Sequence, residues 1–390
     1  MAAHHEASVA GQKSATSIHV IPVNSRRERD RFIRLPWSIY DNDPNWVPPL
    51  LFERRGLLNP QNPYFKHARF QAWLAYRDSR VVGRISAQID ELHLQRYRDA
   101  AGFFGMLEAE DDANIFQALL QTAEDWLRQR GMHQSIGPFN LSINQECGLL
   151  VKGFDTPPMV MMGHGRPYYD SRINEQGYTK TKDLLAYLLP VDFKLTSGMQ
   201  SIIRKAGGRV KIRKLRKSRF KEDLDIIRDI FEDAWSQNWG FIPFTEEEFD
   251  HLGREMKHLV PDDFVGIAEI DDFPAAMIIG FPNLNEIIRD LNGKLLPFGW
   301  LKLLWRLKVT FPRTARVPLM GIRKRYQKSA LGAALAFMIF DTVRAAGLKR
   351  RTEAVELSWV LEDNRGMRNI IEALGGTPYK RYRIYAKQLS

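Results

Sequence analysis

Cysteine is nearly absent from this sequence. Its 390 residues include a single one, Cys147. One thiol cannot form an internal disulfide or a multi-cysteine zinc site, so neither device can hold this fold together. We therefore expect a reducing, cytoplasmic setting and no metal site.

Long apolar segments are also missing. The most apolar region, residues 295–311, is interrupted by Lys302, Arg306 and Lys308. It falls short of the roughly 18 uninterrupted apolar residues that a membrane-spanning helix needs. Residues 1–17 are small and polar, without the apolar stretch of a secretory signal. We expect a flexible tail there and exclude a polytopic membrane protein.

The charges, by contrast, are unbalanced. The chain has 57 Lys and Arg against 46 Asp and Glu, a net charge of +11. This favours a polyanionic partner such as nucleic acid, an anionic membrane or a phosphorylated cofactor, although a basic surface without a partner is the alternative. The hydrophobic share of 44% and charged share of 26% are ordinary for a globular protein.

A similar order of predicted elements occurs twice along the chain. Each half reads as a strand, one or more helices, a strand hairpin, a strand, a helix and further strands. This order predicts an α/β (α+β) fold with two tandem domains, each a mixed, mostly antiparallel sheet flanked by helices. We place the first domain at residues 18–191, a glycine-containing linker at 192–208 and the second domain at 209–390.

The second half contains a strand, a basic loop and a helix in direct succession, at residues 315–346. A helix N-terminus offers unpaired N–H donors and about half a positive charge to an anion. This segment resembles the acyl-CoA loop of the Gcn5-related N-acyltransferase (GNAT) superfamily, which has the pattern Gln/Arg-x-x-Gly-x-Gly/Ala. Gln327, Ala330 and Gly332 match it, with Ala330 in place of the family's first glycine.

The resemblance implies that acyl-CoA binds here as a co-substrate, with no tightly bound cofactor. Arg323, Lys324 and Arg325 add positive charge around the loop. Asn364 matches the asparagine that opens the family's next helix. The residues assigned to acyl-CoA in this way are Met320, Gly321, Ile322, Gln327, Lys328, Ser329, Ala330, Leu331, Gly332 and Asn364.

Acyl transfer to an amine needs a group that takes up a proton and, in this family, often a tyrosine that returns one to the thiolate. Glu356, on the predicted strand after the loop helix, is the candidate base; its alternative role is an ion pair with an arginine. Ile371 occupies the family's usual tyrosine position. Tyr379, Tyr382 and Tyr385 follow, and Tyr385 is our candidate acid, unless all three form the aromatic face of a strand against the core.

The first half resembles the same fold more weakly. Its corresponding loop, at 108–112, is acidic and would repel a pyrophosphate. We expect a degenerate copy that does not bind acyl-CoA. The Gly-, Pro- and polar-rich block at 137–169 contains Tyr169 and His164, a possible base. This block either lines the acceptor site, with Tyr169 in contact with substrate, or is a structural Ω-loop.

An insertion is predicted at about residues 284–312, where a compact GNAT domain needs only a short turn. As a helix, it would place Trp300, Leu303, Leu304 and Leu307 on one face. Trp and Leu opposite Lys and Arg are typical of a helix at a membrane surface. We expect this face to contact lipid; burial in the protein or at a dimer contact is the alternative.

The whole chain is similar in organisation to the bacterial ceramide synthase group. That resemblance implies transfer of a fatty acyl group from acyl-CoA to the amine of a sphingoid base, by a cytoplasmic protein associated with the inner-membrane surface and without nucleic acid. Two other functions stay open: a tRNA-dependent aminoacyl-transferase, and a non-catalytic module that binds lipid or protein.

Overall fold

The computed structural model describes residues 17–389, so the predicted tail at 1–17 lies almost wholly outside the described residues. The elements of the first half, in chain order, are β1 Ile18–Pro22, α1 Arg26–Arg34, α2 Pro36–Ile39, α3 Leu51–Leu57, β2 Ala68–Arg77, β3 Arg80–Asp90, α4 Glu91–Tyr97, β4 Ala101–Ala109, α5 Ala113–Arg128, β5 Gln134–Gly137, β6 Phe139–Asn140, β7 Glu146–Cys147, β8 Leu149–Lys152, α6 Tyr169–Glu175 and β9 Thr179–Pro190.

The second half begins with a helix inside the predicted linker. Its elements are α7 Ser197–Ala206, β10 Val210–Lys214, α8 Phe220–Trp235, α9 Glu246–Met256, β11 Val265–Ile270, β12 Phe273–Pro282, α10 Leu284–Ile288, α11 Gly299–Trp305, β13 Thr314–Ile322, α12 Lys324–Gln327, α13 Ala330–Lys349, β14 Ala354–Leu361, α14 Arg365–Ala373 and β15 Thr377–Gln388.

One continuous sheet runs through both halves. Its strand order is β1-β2-β3-β4-β5-β15-β9-β14-β13-β12-β11-β10, and β8 adds to β15. Neighbouring strands are antiparallel except at β4–β5 and β13–β14. Helices flank the sheet in each half. The predicted fold class, two tandem units with mixed, mostly antiparallel strands, is confirmed.

The last strand of each half lies beside the other half. β15, which ends the second half, pairs with β5 of the first, with Tyr385 opposite Gly137. β9, which ends the first half, pairs with β14 of the second, with Leu357 opposite Tyr187. Sheet ladders therefore join the halves, and neither half can separate without breaking strand pairs.

Helix α13 is the core element of the second half. Among the described residues it is the one helix long and apolar enough to cross a membrane by length and composition. It packs against α7, β11 and β12, and half of its residues are buried, including Leu335, Ile339 and Val343. Its apolar character is therefore explained by burial within the protein.

A histidine joins the two halves on one side of the sheet. His67 Nδ1 lies 3.1 Å from Asp90 Oδ1, and its Nε2 lies 3.3 Å from an oxygen of Glu248. Glu248 also completes the capping box of α9 with Thr245. Burial by itself lowers the pKa of His67, but the two carboxylates outweigh it and raise this pKa to about 9.

This contact predicts a pH-dependent stability. A histidine whose pKa rises from 6.5 to about 9 on folding stabilises fully below pH 6.5, and this stabilisation is lost as the pH rises through 9. We expect the free energy of unfolding to fall by about 2 kcal/mol over that interval. Urea melts between pH 6 and 9.5 measure it. In His67→Gln this fall should be absent, whereas in the control His251→Gln, at a half-buried histidine of α9 outside this contact, it should persist.

Candidate functional site

A deep cleft opens where two parallel strands diverge. β13 and β14 pair from Thr314 opposite Ala354 to Val317 opposite Leu357, and the pairing ends there although both strands continue. The space between them belongs to a cleft that opens to solvent. Residues 316–320 of β13 and 357–361 of β14 line it.

Most of the cleft wall is apolar and aromatic. The side chains come mainly from α8, the segment that follows it, α13 and α14. They include Phe231, Trp235, Trp239, Phe241, Phe244, Phe281, Phe340, Met367 and Ile371. Such a lining suits a long hydrocarbon chain, because burying each CH₂ group stabilises a complex by about 0.8 kcal/mol.

The remainder of the wall is polar and comes from both halves. Asn144, Gln145 and Cys147 belong to the first-half block at 137–169, and Arg316, Ser358 and Asn364 belong to the second half. The Asn144 side-chain amide donates to the Ile242 carbonyl at 3.0 Å, which fixes the block against the second half. Part of the predicted block therefore lines the cleft.

The equivalent divergence in the first half is filled by its own chain. β4 and β5 pair in parallel only over Ala101–Phe103, and β6 then lies across the gap. The Gln88 amide donates to the carbonyls of Phe139 (2.6 Å) and Leu141 (3.1 Å). A Cβ on Gly105 would come within 1.7 Å of the Phe139 oxygen. The backbones are thus in contact, and this gap has no room for a ligand.

The acidic loop of the first half is neutralised by arginines. Asp112 caps α5, accepting from the Asn114 N–H at 2.8 Å, and also pairs with Arg77. Glu110 pairs with Arg80. In the first half, a carboxylate therefore occupies the N-terminus of α5. The equivalent helix of the second half, α13, has basic residues at its N-terminus instead.

In the second half, the predicted acyl-CoA loop leads from β13 through α12 into α13. Gln327 donates to the Ile322 carbonyl at 2.8 Å, which closes the loop onto the end of its strand. Ser329 caps α13 by accepting from the Gly332 N–H at 3.1 Å. Ala330 is exposed beside this cap and Leu331 is half-buried. Of the assigned residues, Met320 and Asn364 also line the cleft.

Gly332 is required by packing. A Cβ built there would lie 2.1 Å from the Tyr326 carbonyl oxygen, which is the backbone of the same loop. Any side chain at this position would push the loop away from the helix. A substitution of Gly332 would therefore disturb the loop itself as well as any anion bound to it.

Positive charge at this helix terminus is available to a ligand. Lys324 and Lys328 are exposed, and within residues 17–389 their ammonium groups form no ion pair. Arg325 lies over the Phe273 ring at 4.2 Å, with its guanidinium still exposed. Arg323, in contrast, is paired with Asp229. Together with the N-terminal dipole of α13, these groups favour a phosphate-bearing ligand.

Glu356 lies in a buried polar network behind the cleft wall. The Ser358 hydroxyl donates to Glu356 Oε1 at 2.6 Å, and the Tyr379 hydroxyl donates to Oε2. Arg316 Nε lies 3.6 Å from Oε1 and donates to Ser358 Oγ at 2.8 Å. Of these side chains, Ser358 and Arg316 reach the cleft. A proton from the cleft can therefore reach Glu356 through Ser358.

Arg316 and Lys380 are members of this region that the sequence reasoning missed. Burial lowers the pKa of Arg316 although Glu356 opposes it, and Arg316 also donates to the Val160 carbonyl at 3.1 Å. Burial lowers the pKa of Lys380 to about 8, and its Nζ donates to the Gly153 and Thr156 carbonyls. Both cations thus hold the first-half block. The sequence does contain a signal for Arg316, because an arginine between Ala315 and Val317 is unusual in an apolar strand.

Three residues singled out from the sequence lie elsewhere, and none of them lines the cleft. The Tyr385 hydroxyl donates to Asp170 in the core of the first half. The Tyr169 hydroxyl donates to Glu108 at 2.7 Å in the same core. His164 is buried with its Nε2 3.1 Å from Asp43 Oδ2, and burial lowers its pKa. Roles for Tyr385 and Tyr169 in catalysis or substrate binding stay predictions without a supporting contact.

The insertion folds as α10, α11 and a π-helical turn at Arg306–Thr310. The predicted apolar face divides: Leu303 and Leu307 pack inward on Val47, Ile287 and Ile288, whereas Trp300 and Leu304 stay exposed. Lys302 and Arg306 both pair with Asp290 and fix the helix in place. The exposed apolar side chains, called here the insertion patch, are Leu296, Phe298, Trp300, Leu301, Leu304, Trp305 and Val309.

Comparisons with known proteins identify the family. No family model matches the chain. The bacterial ceramide synthase of Caulobacter vibrioides is 47% identical over 375 residues, 95% of this chain and 98% of that protein. The chain belongs to the same family. Protein YghO of Escherichia coli strain K12 is 49% identical over 94% of both chains, and its name states no activity.

Solved structures agree on the fold. A tandem GNAT protein from the clavulanic acid biosynthesis pathway superposes with a TM-score of 0.56 at 12% identity, over 96% of this chain and 99% of that one. A GCN5-related N-acetyltransferase from Anabaena variabilis gives a TM-score of 0.51 at 10% identity, over 96% and 73%. This chain therefore has two GNAT-like halves. Together with the ceramide synthase relative, this fold supports an N-acyltransferase.

Proposed function

We propose that this protein transfers a fatty acyl group from acyl-CoA to the amine of a sphingoid base. The observation that carries the proposal is the open cleft between β13 and β14, which combines a long apolar wall with the Ser358–Glu356 network. The name of the Caulobacter relative supports the acceptor, and the basic N-terminus of α13 supports a donor that carries phosphates.

The arrangement supplies a donor site, an acyl-chain site and a proton acceptor for this reaction. The donor's phosphates would lie at Lys324, Lys328 and the N-terminus of α13, and its acyl chain would lie along the aromatic wall. The neutral amine attacks the thioester carbonyl and loses a proton through Ser358 to Glu356. The CoA thiolate then leaves, and Ile371 at the cleft wall cannot protonate it because it has no acidic hydrogen. The proton of that step comes from another group or from solvent.

We further propose that the protein is cytoplasmic and meets its lipid acceptor at the inner-membrane surface. Seven exposed apolar side chains within fourteen residues form the insertion patch. Leaving them in water is unfavourable, and Trp and Leu side chains of this kind enter the headgroup region of a bilayer. A protein docked in this way would receive a long-chain amine directly from the membrane.

The filled gap between β4 and β5 of the first half predicts the stoichiometry of acyl-CoA binding. We expect calorimetry to give one acyl-CoA per chain, because Phe139 occupies the equivalent gap and Asp112 occupies the equivalent helix terminus. In the same preparation, labelled palmitoyl-CoA and sphinganine should give an N-acyl product and free thiol in equal amounts. A stoichiometry of two acyl-CoA per chain would refute the claim that the first half does not bind acyl-CoA. Absence of the N-acyl product would refute the proposed reaction.

A further inference from the structure

Two residues that line the cleft each carry a buried polar atom without a partner. The side-chain oxygen of Gln145 and the indole N–H of Trp359 are both buried, and neither forms a hydrogen bond within the described chain. Buried polar groups are normally paired, because leaving one unpaired forfeits its hydration without compensation. An acceptor and a donor left open in one cleft are the expected complement of a polar ligand group.

Both residues are held in place by neighbours. Gln145 sits in the turn between β6 and β7, where its own N–H donates to the Ser142 carbonyl and the adjacent Asn144 is fixed to Ile242. Trp359 follows Ser358 on β14, and the Arg316 guanidinium lies 5.3 Å from its ring. The unpaired indole N–H of Trp359 therefore belongs to the residue next to Ser358, whose hydroxyl donates to Glu356.

We propose that Gln145 and Trp359 form the subsite that recognises the polar head of the acceptor, an amine with an oxygen function beside it; this rests on the proposed function. The Gln145 oxygen accepts a hydrogen bond from the head's amine or hydroxyl, and the Trp359 N–H donates to the head's oxygen. The apolar part of the cleft wall receives the chain. Since Gln145 belongs to the first half, that half supplies acceptor recognition to the second half's cleft.

The chemistry favours this ligand group over a thioester and over a simple amine. A thioester offers acceptor atoms only, so it could use Trp359 but would leave Gln145 unpaired. A simple long-chain amine offers donors and could use Gln145 but not Trp359. A head with both kinds of group satisfies both residues, and a site built this way rejects an analogue that lacks one of them.

The test compares two acceptors of equal chain length, sphinganine and octadecylamine, with palmitoyl-CoA as the donor. We expect the wild-type protein to prefer sphinganine in kcat/KM by at least about tenfold. Gln145→Met and Trp359→Phe should each lower kcat/KM for sphinganine by about tenfold through KM, while the value for octadecylamine changes less in Trp359→Phe. The matched control is Trp239→Phe, at a tryptophan of the same cleft whose N–H is not among the buried unpaired groups; it should affect both acceptors equally.

Each outcome decides the proposal. If the wild-type protein acylates both amines equally well, or if Trp359→Phe lowers both equally, the subsite is refuted while the acyltransferase function stands. If neither amine is acylated, the proposed acyltransferase function is refuted, and with it the subsite that rests on this function. Thermal melts and acyl-CoA calorimetry of the variants separate a misfolded protein from a lost contact, and the two substitutions in different halves of the chain give independent readings.

Discussion

In a Glu356→Gln variant, we expect kcat for acyl transfer to fall by about 100- to 1,000-fold, the range typical of a lost general base. The amide keeps the size of the carboxylate but cannot take up the proton that Ser358 passes inward. The nearby donors, Ser358 and Tyr379, belong to the same buried network. Steady-state kinetics with saturating acyl-CoA measure the loss. The dissociation constant of CoA should stay unchanged, because the hydrogen-bond partners of Glu356 do not belong to the basic loop before α13.

Stability needs a separate variant, because Glu356 also faces buried Arg316. Removing one partner of a buried ion pair destabilises a protein by about 3 kcal/mol or more. Ser358→Ala leaves this pair in place but breaks the connection to the cleft, so it should lower kcat without a comparable loss of stability. The control is Glu353→Gln, the same substitution at an exposed position just before β14. Normal kcat in Ser358→Ala would contradict the proton path.

The second large effect concerns the insertion patch. In Leu304→Glu with Trp305→Glu, we expect binding to vesicles that contain phosphatidylglycerol to fall by more than about 100-fold, since each buried Leu or Trp contributes about 2 kcal/mol. Leu304 is 46% exposed and Trp305 is 62% exposed, so the fold should tolerate both changes. Co-sedimentation measures the binding. Activity on sphinganine in vesicles should fall with it, while activity on a short, water-soluble amine should persist.

The matched control for this variant is a leucine of equal exposure elsewhere. Leu348, near the C-terminal end of α13, is 45% exposed. Leu348→Glu adds one of the two negative charges that the patch variant adds, and it should leave vesicle binding nearly unchanged. Equal losses in the two proteins would mean that net charge, not the patch, decides binding. Undiminished binding of the Leu304 and Trp305 variant would refute membrane docking through this surface.

Local patterns determined much of the secondary structure. The hairpin of β2 and β3 follows from its alternating residues and the turn at Asp78, where φ is 56°. The capping box at Thr245 and the start of α13 after the basic loop were also readable. In each case the decisive contacts join residues within a few positions of one another, so a single sequence contains the information.

The insertion shows where a local pattern is ambiguous. A helical projection puts Trp300, Leu303, Leu304 and Leu307 on one broad face, but the protein covers only part of it. Val47 from the first half and Ile287 decide that Leu303 and Leu307 point inward. The projection has no information on what approaches the helix, and therefore it could not separate the buried side from the exposed one.

The choice among the tyrosines of β15 shows the same limit in a strand. Tyr379 and Tyr385 lie on one strand, about 20 Å apart at the rise of an extended chain. Since β15 crosses from one half to the other, Tyr379 meets Glu356 whereas Tyr385 meets Asp170. Spacing alone gives no preference between them, because the exchange of terminal strands is a long-range pairing.

The sequence by itself thus determined the fold class, the family resemblance and the position of the basic loop, which all depend on local periodicity or on a contiguous motif. Tertiary structure alone decided that the gap between β13 and β14 is open and that the gap between β4 and β5 is filled. It also brought Arg316, Glu356 and Tyr379 into contact. It also decided that Gln145 from one half completes the cleft of the other. These features depend on contacts between residues separated by up to about 200 positions, and such contacts leave no periodic signal in the chain.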